Sequence, residues 1–467
     1  MKRILLLIFF NLFYFSHVYS DDRHIIDFND WLLNNGYENY LELDECYGCN
    51  DYENRTYKCF DIKTADAKKQ CLLPGKKKDD RGFWRFRNAG KYKNNLKIKF
   101  YKDRSNIPWN ANPNYDTLLY YLFSYIKRVD SGKYWETKGS KNPYVFESDL
   151  REDKYIDKQL KKTALVSYLL FENDKITIDK KSPKDRFGIL VQDDTKLISM
   201  SVGKSMVSYV LGHAICGGYI DNVNSKIDDW PLIKNTLYDG QSILDLINMS
   251  AGDQQYINVT ERIKKTKKQA GDGSIKYHME SAFYGSKKSK PKWNYNGLVP
   301  HLILNYIWFK SDGDYQKILD ETFKEKSRIE DSVLFREVKG DNYNDGLLVN
   351  SFHASRYDYL RIARAMLDDW QNDTCVGKYL KTIYKNKVKK NDKWKDEKSS
   401  WFNPKGYAGF FHTDYSGMNS RAVMGMDGYG GQSIIIDFDL GRIIVINSIH
   451  QNYNWKKIAH SVIKNGK

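Results

Sequence analysis

The sequence is short of the features that mark several protein classes. Its 467 residues include only nine prolines and 31 glycines, without period, which excludes a collagen-like chain. Past the first residues no segment is long and apolar enough to cross a bilayer, so a multi-span membrane protein is excluded. Internal repeats, a nucleic-acid-binding motif and an Arg-rich face are all missing. His353, His412 and His450 are scattered, with no His-Glu-x-x-His or comparable metal spacing, so neither a metal nor an organic cofactor is implied. Cysteine is sparse at six. What the chain has is 41% hydrophobic, 15% aromatic and 29% charged residues, the composition of a folded protein rather than a disordered one. The length suits two or three structural units with a sizeable core.

Acidic residues are in deficit: 59 Asp+Glu stand against 75 Lys+Arg, a formal charge of +16. Lysine carries most of it in scattered groups such as Lys68-Lys69 and Lys76 to Lys78. That distribution reads as a generally basic surface and predicts no nucleic-acid partner, with an anionic envelope surface as a loose one.

The N-terminus carries an address. Lys2-Arg3 precedes an apolar run from Ile4 to Phe15, and Val18 and Ser20 supply small residues before Asp21-Asp22. A charged start, a short apolar stretch and a small-residue cleavage site predict a signal peptide over 1–20. The alternative is an uncleaved anchor, though the run is short for a span. The mature chain is expected to be secreted or periplasmic, without stable membrane insertion. In such an oxidising compartment Cys46, Cys49, Cys59 and Cys71 suit two disulfides of undecided pairing, while their Cys-x-x-Cys start also fits zinc. Cys216 lies in an apolar helical stretch and reads as a core thiol, and Cys375 stands alone.

Residues 21–155 read as a Cys-bearing N-terminal extension with one helix, Tyr115 to Arg128. From 156 to 467 the character changes. Leu165 to Phe171 and Ile176 to Ile178, separated by Glu172-Asn173-Asp174-Lys175, predict a hairpin. A helix-period segment runs from Ser201 to Ile215 and stops at Gly217-Gly218. The middle reads as mostly helical, most clearly from Arg356 to Trp370. Gln432 to Asp437 and Arg442 to Ile446 return to strands, and a last helix is expected from Asn454 to Ile463. Strands at both ends of a helical region predict an α+β fold: one antiparallel sheet gathered from distant segments, flanked by helices, with an inserted helical lobe.

Chemistry concentrates at Ser201-Val202-Gly203-Lys204. A serine hydroxyl needs a base to become a nucleophile. Three residues on along a helix, Lys204 projects from the same face as Ser201, within reach of its oxygen. The helix N-terminus adds partial positive charge and amide N–H groups suited to an oxyanion. The plainer alternative makes Ser201 a helix cap and Lys204 an exposed side chain. Gly203-Lys204-Ser205 also ends like a phosphate loop, but the required earlier glycine is Ile198. No Gly-x-Ser-x-Gly elbow surrounds Ser201. The Lys264 to Lys268 run and the Lys287 to Lys292 stretch read as solvated loops that could border a cleft.

Lys196 to Asp229, around this tetrapeptide, resembles the penicillin-recognising serine hydrolases. Within them it is most similar to the β-lactamase-related group of class C β-lactamases, carboxylesterases and 6-aminohexanoate-dimer hydrolases. The segments Ser242 to Gly252 (ending Met-Ser-Ala-Gly), Trp293 to Asn296, Ser355 to Leu360 and Asp427 to Ser433 resemble that group in the same order. The resemblance runs from Thr163 to the C-terminus. It implies a β-lactamase/transpeptidase-like fold and an acyl-enzyme on Ser201. Lys204 would be the general-base partner and Tyr295 the proton shuttle. The backbone amides of Ser201 and Tyr429 would form the oxyanion hole, and Asn296, Asp427 and Gly428 would meet substrate. Two departures qualify it. The Tyr-x-Asn pattern reads Tyr295-Asn296-Gly297, displacing the asparagine to Asn296, and the basic third-motif triplet reads Met426-Asp427-Gly428. Without the cation that meets a substrate carboxylate, β-lactam hydrolysis is not expected, and neutral or amine-bearing esters and amides suit better. The rival reading is a non-catalytic binding protein on the same fold. A cell-wall peptidase is a third, and would capture penicillin covalently.

Overall fold

The computed structural model describes residues 133–183, 187–188, 191–257, 273–338, 340, 342–390, 404–416, 418, 420–449, 458–459 and 462–463. The signal segment, Cys46, Cys49, Cys59, Cys71, the Tyr115 to Arg128 helix and the Lys264 to Lys268 run lie outside the described residues, as does most of the C-terminal helix.

Along the chain β1 (Lys133–Thr137) and β2 (Glu147–Ser148) lead into α1 (Lys154–Lys162), whose first amides are held by the Asp153 carboxylate. The predicted hairpin follows as β3 (Leu165–Glu172) and β4 (Lys175–Lys181). Asn173 and Asp174 turn it with φ of 52° and 58°, the left-handed pair that a two-residue turn requires. Next come β5 (Leu197–Ile198) and α2 (Val202–Cys216), then β6 (Lys226–Ile227), β7 (Gln241–Ser242) and α3 (Ile243–Ile247). The helical middle holds α4 (Ile275–His278), α5 (Leu298–Lys310) and α6 (Tyr315–Leu319). Two strands, β8 (Val333–Glu337) and β9 (Leu348–Ala354), interrupt the helices before α7 (Arg356–Gln371) and α8 (Cys375–Lys385). The chain continues through β10 (Val388–Lys389), β11 (Gly406–Ala408), β12 (Phe411–Thr413), β13 (Val423–Gly428), β14 (Gln432–Asp437) and β15 (Arg442–Ser448).

The main sheet has nine strands in the order β10-β11-β12-β13-β14-β15-β3-β4-β2. It is antiparallel except for its outer pair, where β2 runs parallel to β4. The distant ends meet at its centre, with Val445 opposite Leu169, and every residue of β3 and β15 is buried. The α+β architecture expected from the sequence is therefore observed. A second sheet was not anticipated: β1-β8-β9-β5, four strands drawn partly from the stretch read as helical. Its outer strand β1, together with β2 and the start of α1, comes from residues before 156, so the chain joins this fold ahead of the expected boundary.

Helix α2 is apolar on nearly every side and is buried accordingly, packing on β9, α5 and α8. Its last residue corrects the reading of Cys216 as a core thiol. Cys216 is disulfide-bonded to Cys375 at the first position of α8, with Cα atoms 5.8 Å apart. Among the described residues no helix is long and apolar enough to cross a membrane.

Candidate active site

The short strand β5 delivers the chain to the start of α2. Its pairing with β9 continues one residue further, where the Ser199 amide donates to Phe352 O at 2.7 Å and the Ser199 hydroxyl accepts from the Phe352 amide at 3.0 Å. Met200 then takes φ +49°, a strained conformation for a side-chain-bearing residue, and turns the chain abruptly into the helix. Ser201 sits at this turn. Its hydroxyl makes no capping bond to the helix, which sets aside the plainer cap reading. Instead its Oγ accepts a hydrogen bond from Lys204 Nζ at 2.8 Å.

Lys204 is only 6% exposed, and among the described residues no carboxylate lies within ion-pair distance of it. Its ammonium lies 4.8 Å from the ring centroid of Tyr295. Gly203 makes this packing geometrically feasible. A Cβ there would stand 1.9 Å from Asn350 O and 2.8 Å from Ser199 Oγ, so any side chain would push the first turn of α2 off β9.

Tyr295 is brought to Lys204 by a segment pinned from both sides. Asn294 Nδ2 donates to one oxygen of Asp253 and Asn296 Nδ2 to the other, each at 3.3 Å. Tyr238 OH adds a third bond to the same carboxylate at 2.9 Å. The Asn294 amide donates to Met249 O and the Ser289 amide to Gly252 O. The Met-Ser-Ala-Gly segment is thus the bracket that holds the tyrosine, and Asp253 is its anchor. Burial raises the Asp253 carboxyl above its usual range, opposed by the hydrogen bonds from Tyr238, Asn294 and Asn296. No motif pointed to Asp253, although it directly follows Gly252.

Asn296 does not present itself to a substrate. Besides its bond to Asp253, its amide nitrogen donates to Asn294 O, and its oxygen accepts from the Leu298 and Val299 amides at the start of α5. It is a buried positioning residue, and the displaced asparagine is explained by that local duty.

The third motif arrives on β13. Gly428 ends the strand against the Met200–Ser201 turn: a Cβ there would lie 2.4 Å from Ser199 O and 3.2 Å from Met200 Cβ. Glycine is required here by the protein's own backbone rather than by a substrate's approach. Tyr429 follows at once and opens the turn through Gly430 and Gly431, with φ of 86° and 87°. Asp427, opposite Ser433, accepts from its hydroxyl at 3.1 Å.

Aromatic rings close the far side of Tyr295. Tyr407 stands edge-on to it at 6.0 Å, and His412 lies nearly parallel to it at 6.3 Å. Trp293 contacts both Tyr295 and Tyr407. Tyr407 is fully buried and its phenol is held well above the usual range, first by burial, then by Tyr295 and Asp427. Lys390 Nζ lies 2.6 Å from His412 Nδ1. The β11–β12 hairpin carrying Tyr407 and His412 is tied to α2 through Ser205 Oγ, which donates to Phe410 O at 2.7 Å. Neither Lys390 nor His412 stands in a motif, and only the sheet order brings them here. Lys287, Lys288, Lys290 and Lys292 are loop residues, as expected. Among the described residues no cluster of three His, Cys, Asp or Glu side chains is arranged to hold a metal ion.

The chain is similar to a solved structure from Bacillus anthracis described as a 6-aminohexanoate-dimer hydrolase. The TM-score is 0.54 at 14% identity, over 78% of this chain and 99% of that one. It is also similar to a penicillin-binding protein from Bacillus halodurans, with a TM-score of 0.48 at 11% identity over 67% of this chain and 99% of that one. No protein-family model and no curated protein matches the sequence. The fold is that of the β-lactamase-related serine hydrolases.

Proposed function

We propose that this protein is an exported serine hydrolase that cleaves an ester or amide through an acyl-enzyme on Ser201. The observation that carries the reading is the 2.8 Å contact between Lys204 Nζ and Ser201 Oγ, with the Tyr295 ring 4.8 Å beyond the same nitrogen. Lys204 reaches the serine from one turn along its own helix, and Tyr295, from a segment far away in sequence, meets Lys204.

In acylation the Ser201 oxygen attacks the carbonyl carbon, and its proton passes to the Lys204–Tyr295 pair. Tyr295 returns the proton to the departing alcohol or amine as the carbon–heteroatom bond breaks. Water then repeats the sequence in the second half-reaction and releases the acid. The amides of Ser201 and Tyr429 are the oxyanion donors in this scheme. The placement of Gly428 against Ser199 and Met200 supports that pairing, because it brings the end of β13 beside the nucleophile turn. Export is supported by the N-terminal sequence and by the Cys216–Cys375 disulfide, which suits an oxidising compartment.

A fluorophosphonate probe tests the assignment. Covalent labelling of the wild type, lost in Ser201→Ala, is the expected result, and a folded wild type that takes no label would favour the non-catalytic reading. p-Nitrophenyl esters, short amides and a β-lactam, run on both proteins, then define the substrate. Turnover of esters or amides is expected without covalent penicillin capture.

A further inference from the structure

The sequence holds four Asn-x-Ser/Thr triplets, which begin at Asn54, Asn248, Asn258 and Asn372. In a chain that enters a secretory pathway this triplet is an acceptor for an N-linked oligosaccharide, and an occupied one lies on the surface. Asn54 and Asn258 lie outside the described residues. The fold separates the other two. Asn248 is 3% exposed; its amide nitrogen donates to Asn386 O at 2.9 Å and its oxygen accepts from the Gly409 amide at 2.8 Å. A sugar on that buried nitrogen would have to part the end of α8 from the Met-Ser-Ala-Gly segment.

Asn372 stands in the opposite situation. It follows α7 in the short turn to α8, where Asn372, Asp373 and Cys375 are all exposed. Its φ of −95° is one that any residue adopts, while the left-handed position of the turn is taken by Asp373 at 48°. The backbone therefore does not call for asparagine at 372. Its side-chain nitrogen donates to Asp368 O at 3.0 Å and to Asp368 Oδ1 at 2.9 Å, both on the exposed surface. The amide carries two N–H groups and a glycosylated amide keeps one, so one of these bonds can persist in the modified protein. Thr374, the third residue of the triplet, caps α8: its hydroxyl donates to Asp369 and accepts from the Gly377 amide. That hydroxyl is engaged once the turn has closed, so the oligosaccharide is added before closure.

We propose that Asn372 is an N-glycosylation site, occupied while the chain is being exported, and that Asn248 stays bare. The assignment rests on the export reading. In the transfer the Asn372 amide nitrogen bonds to the anomeric carbon of a lipid-linked diphosphate oligosaccharide. The bond from that carbon to the diphosphate oxygen breaks, the lipid diphosphate leaves with the electron pair, and the amide gives up one proton. The donor and its transferase belong to the secretory pathway that the chain enters.

The full-length chain expressed in insect cells, which carry the donor and transferase, tests it. The secreted protein is treated with a peptide N-glycosidase in heavy-oxygen water, which converts each glycosylated asparagine to isotope-labelled aspartate, and its peptides are mapped by mass spectrometry. Label at Asn372 and none at Asn248 is the expected result. Asn372→Gln should leave that peptide unlabelled while the protein is still secreted, and Thr374→Ser, which keeps the hydroxyl, should keep the glycan. A secreted wild type without label at Asn372, or with label at Asn248, would overturn the assignment. So would loss of the glycan in Thr374→Ser. The two levels of failure are distinct. A chain that stays inside the cells with residues 1–20 attached removes the export reading and the site with it, whereas a secreted chain that is bare at Asn372 removes the site alone.

Discussion

The two walls of this site are built on different terms. The Ser201 wall, formed by β5, the Met200 turn and the first turn of α2, is fixed by steric necessity. Gly203 and Gly428 each touch backbone at distances that no side chain tolerates, and Lys204 is buried with its nitrogen on Ser201. The opposite wall, formed by β11, β12 and the far part of β13, is held by side chains: Asp427 on Ser433, Lys390 on His412, rings edge to face. Side-chain contacts can be exchanged one residue at a time, while backbone contacts cannot. By this difference the residues of the opposite wall are the more replaceable ones.

The largest expected effect lies on the rigid wall. Ser201→Ala and Lys204→Met should each lower turnover by at least about a thousandfold, since each removes a member of one concerted unit. Gly203→Ala should do comparable damage without touching a reacting group, because its Cβ would stand 1.9 Å from Asn350 O. Measured kcat/KM for the three variants, with circular dichroism to establish folding, checks this. A Gly203→Ala enzyme of ordinary activity would break the contrast between the walls.

A second effect falls on the same wall from behind. The Cys216–Cys375 bond closes a loop of sequence separation 159 and ties the far end of α2 to α8. Removing it by Cys216→Ser with Cys375→Ser should cost about 2–5 kcal/mol of unfolding free energy. Denaturant titration of the double variant reads this directly, and an unchanged midpoint would mean that α2 is fastened by packing alone.

The third prediction concerns Tyr295, which stands between the walls. Asp253→Ala strips three hydrogen bonds from the carboxylate that brackets it, those of Tyr238, Asn294 and Asn296. If Tyr295 transfers the proton as proposed, displacing it by an ångström costs on the order of a hundredfold in kcat. Asp253→Asn keeps the shape and should lose less. Equal losses in both variants would assign the role to charge rather than to position.

How much of this could be read from the sequence follows the same division. That Ser201, Lys204 and Tyr295 would lie close together was legible because local spacing or an ordered motif marks them. The β3–β4 hairpin, α2, α7, β14 and β15 were legible because each carries its own periodicity. The small sheet was not, since β1, β8, β9 and β5 are short and stabilise one another only across large sequence gaps. The partner of Cys216 was hidden for the same reason. Asn296 was misjudged because a motif position suggests a ligand contact, whereas the helix that begins at Leu298 supplies a local claim on the same oxygen. Lys390 and His412 had no signal at all, because strand order alone makes them neighbours.

The smallest expected effect lies deep in the rigid half. His353, on β9 opposite Ile198, is fully buried with neither ring nitrogen hydrogen-bonded, and the Tyr134 ring meets it edge-on. Burial is the main cause that depresses its pKa to about 3, with Arg336 and Lys196 adding to it. In the unfolded chain the imidazole titrates near the ordinary histidine value of about 6.5. Because the unfolded state binds the proton first, the stability attached to the neutral ring is complete above about 6.5 and is lost as pH falls towards 3. His353→Leu removes both the two unsatisfied nitrogens and this titration. It should therefore leave neutral-pH stability equal or higher by about 1 kcal/mol and flatten the decline of unfolding free energy between about pH 6.5 and 4. Thermal unfolding at about pH 7, 5.5 and 4.5 separates the two contributions. A His353→Leu protein that loses stability in parallel with the wild type on acidification would place the acid sensitivity elsewhere. Attention would then turn to His213 on α2, whose pKa burial lowers to about 4, and to the carboxylates of the opposite wall.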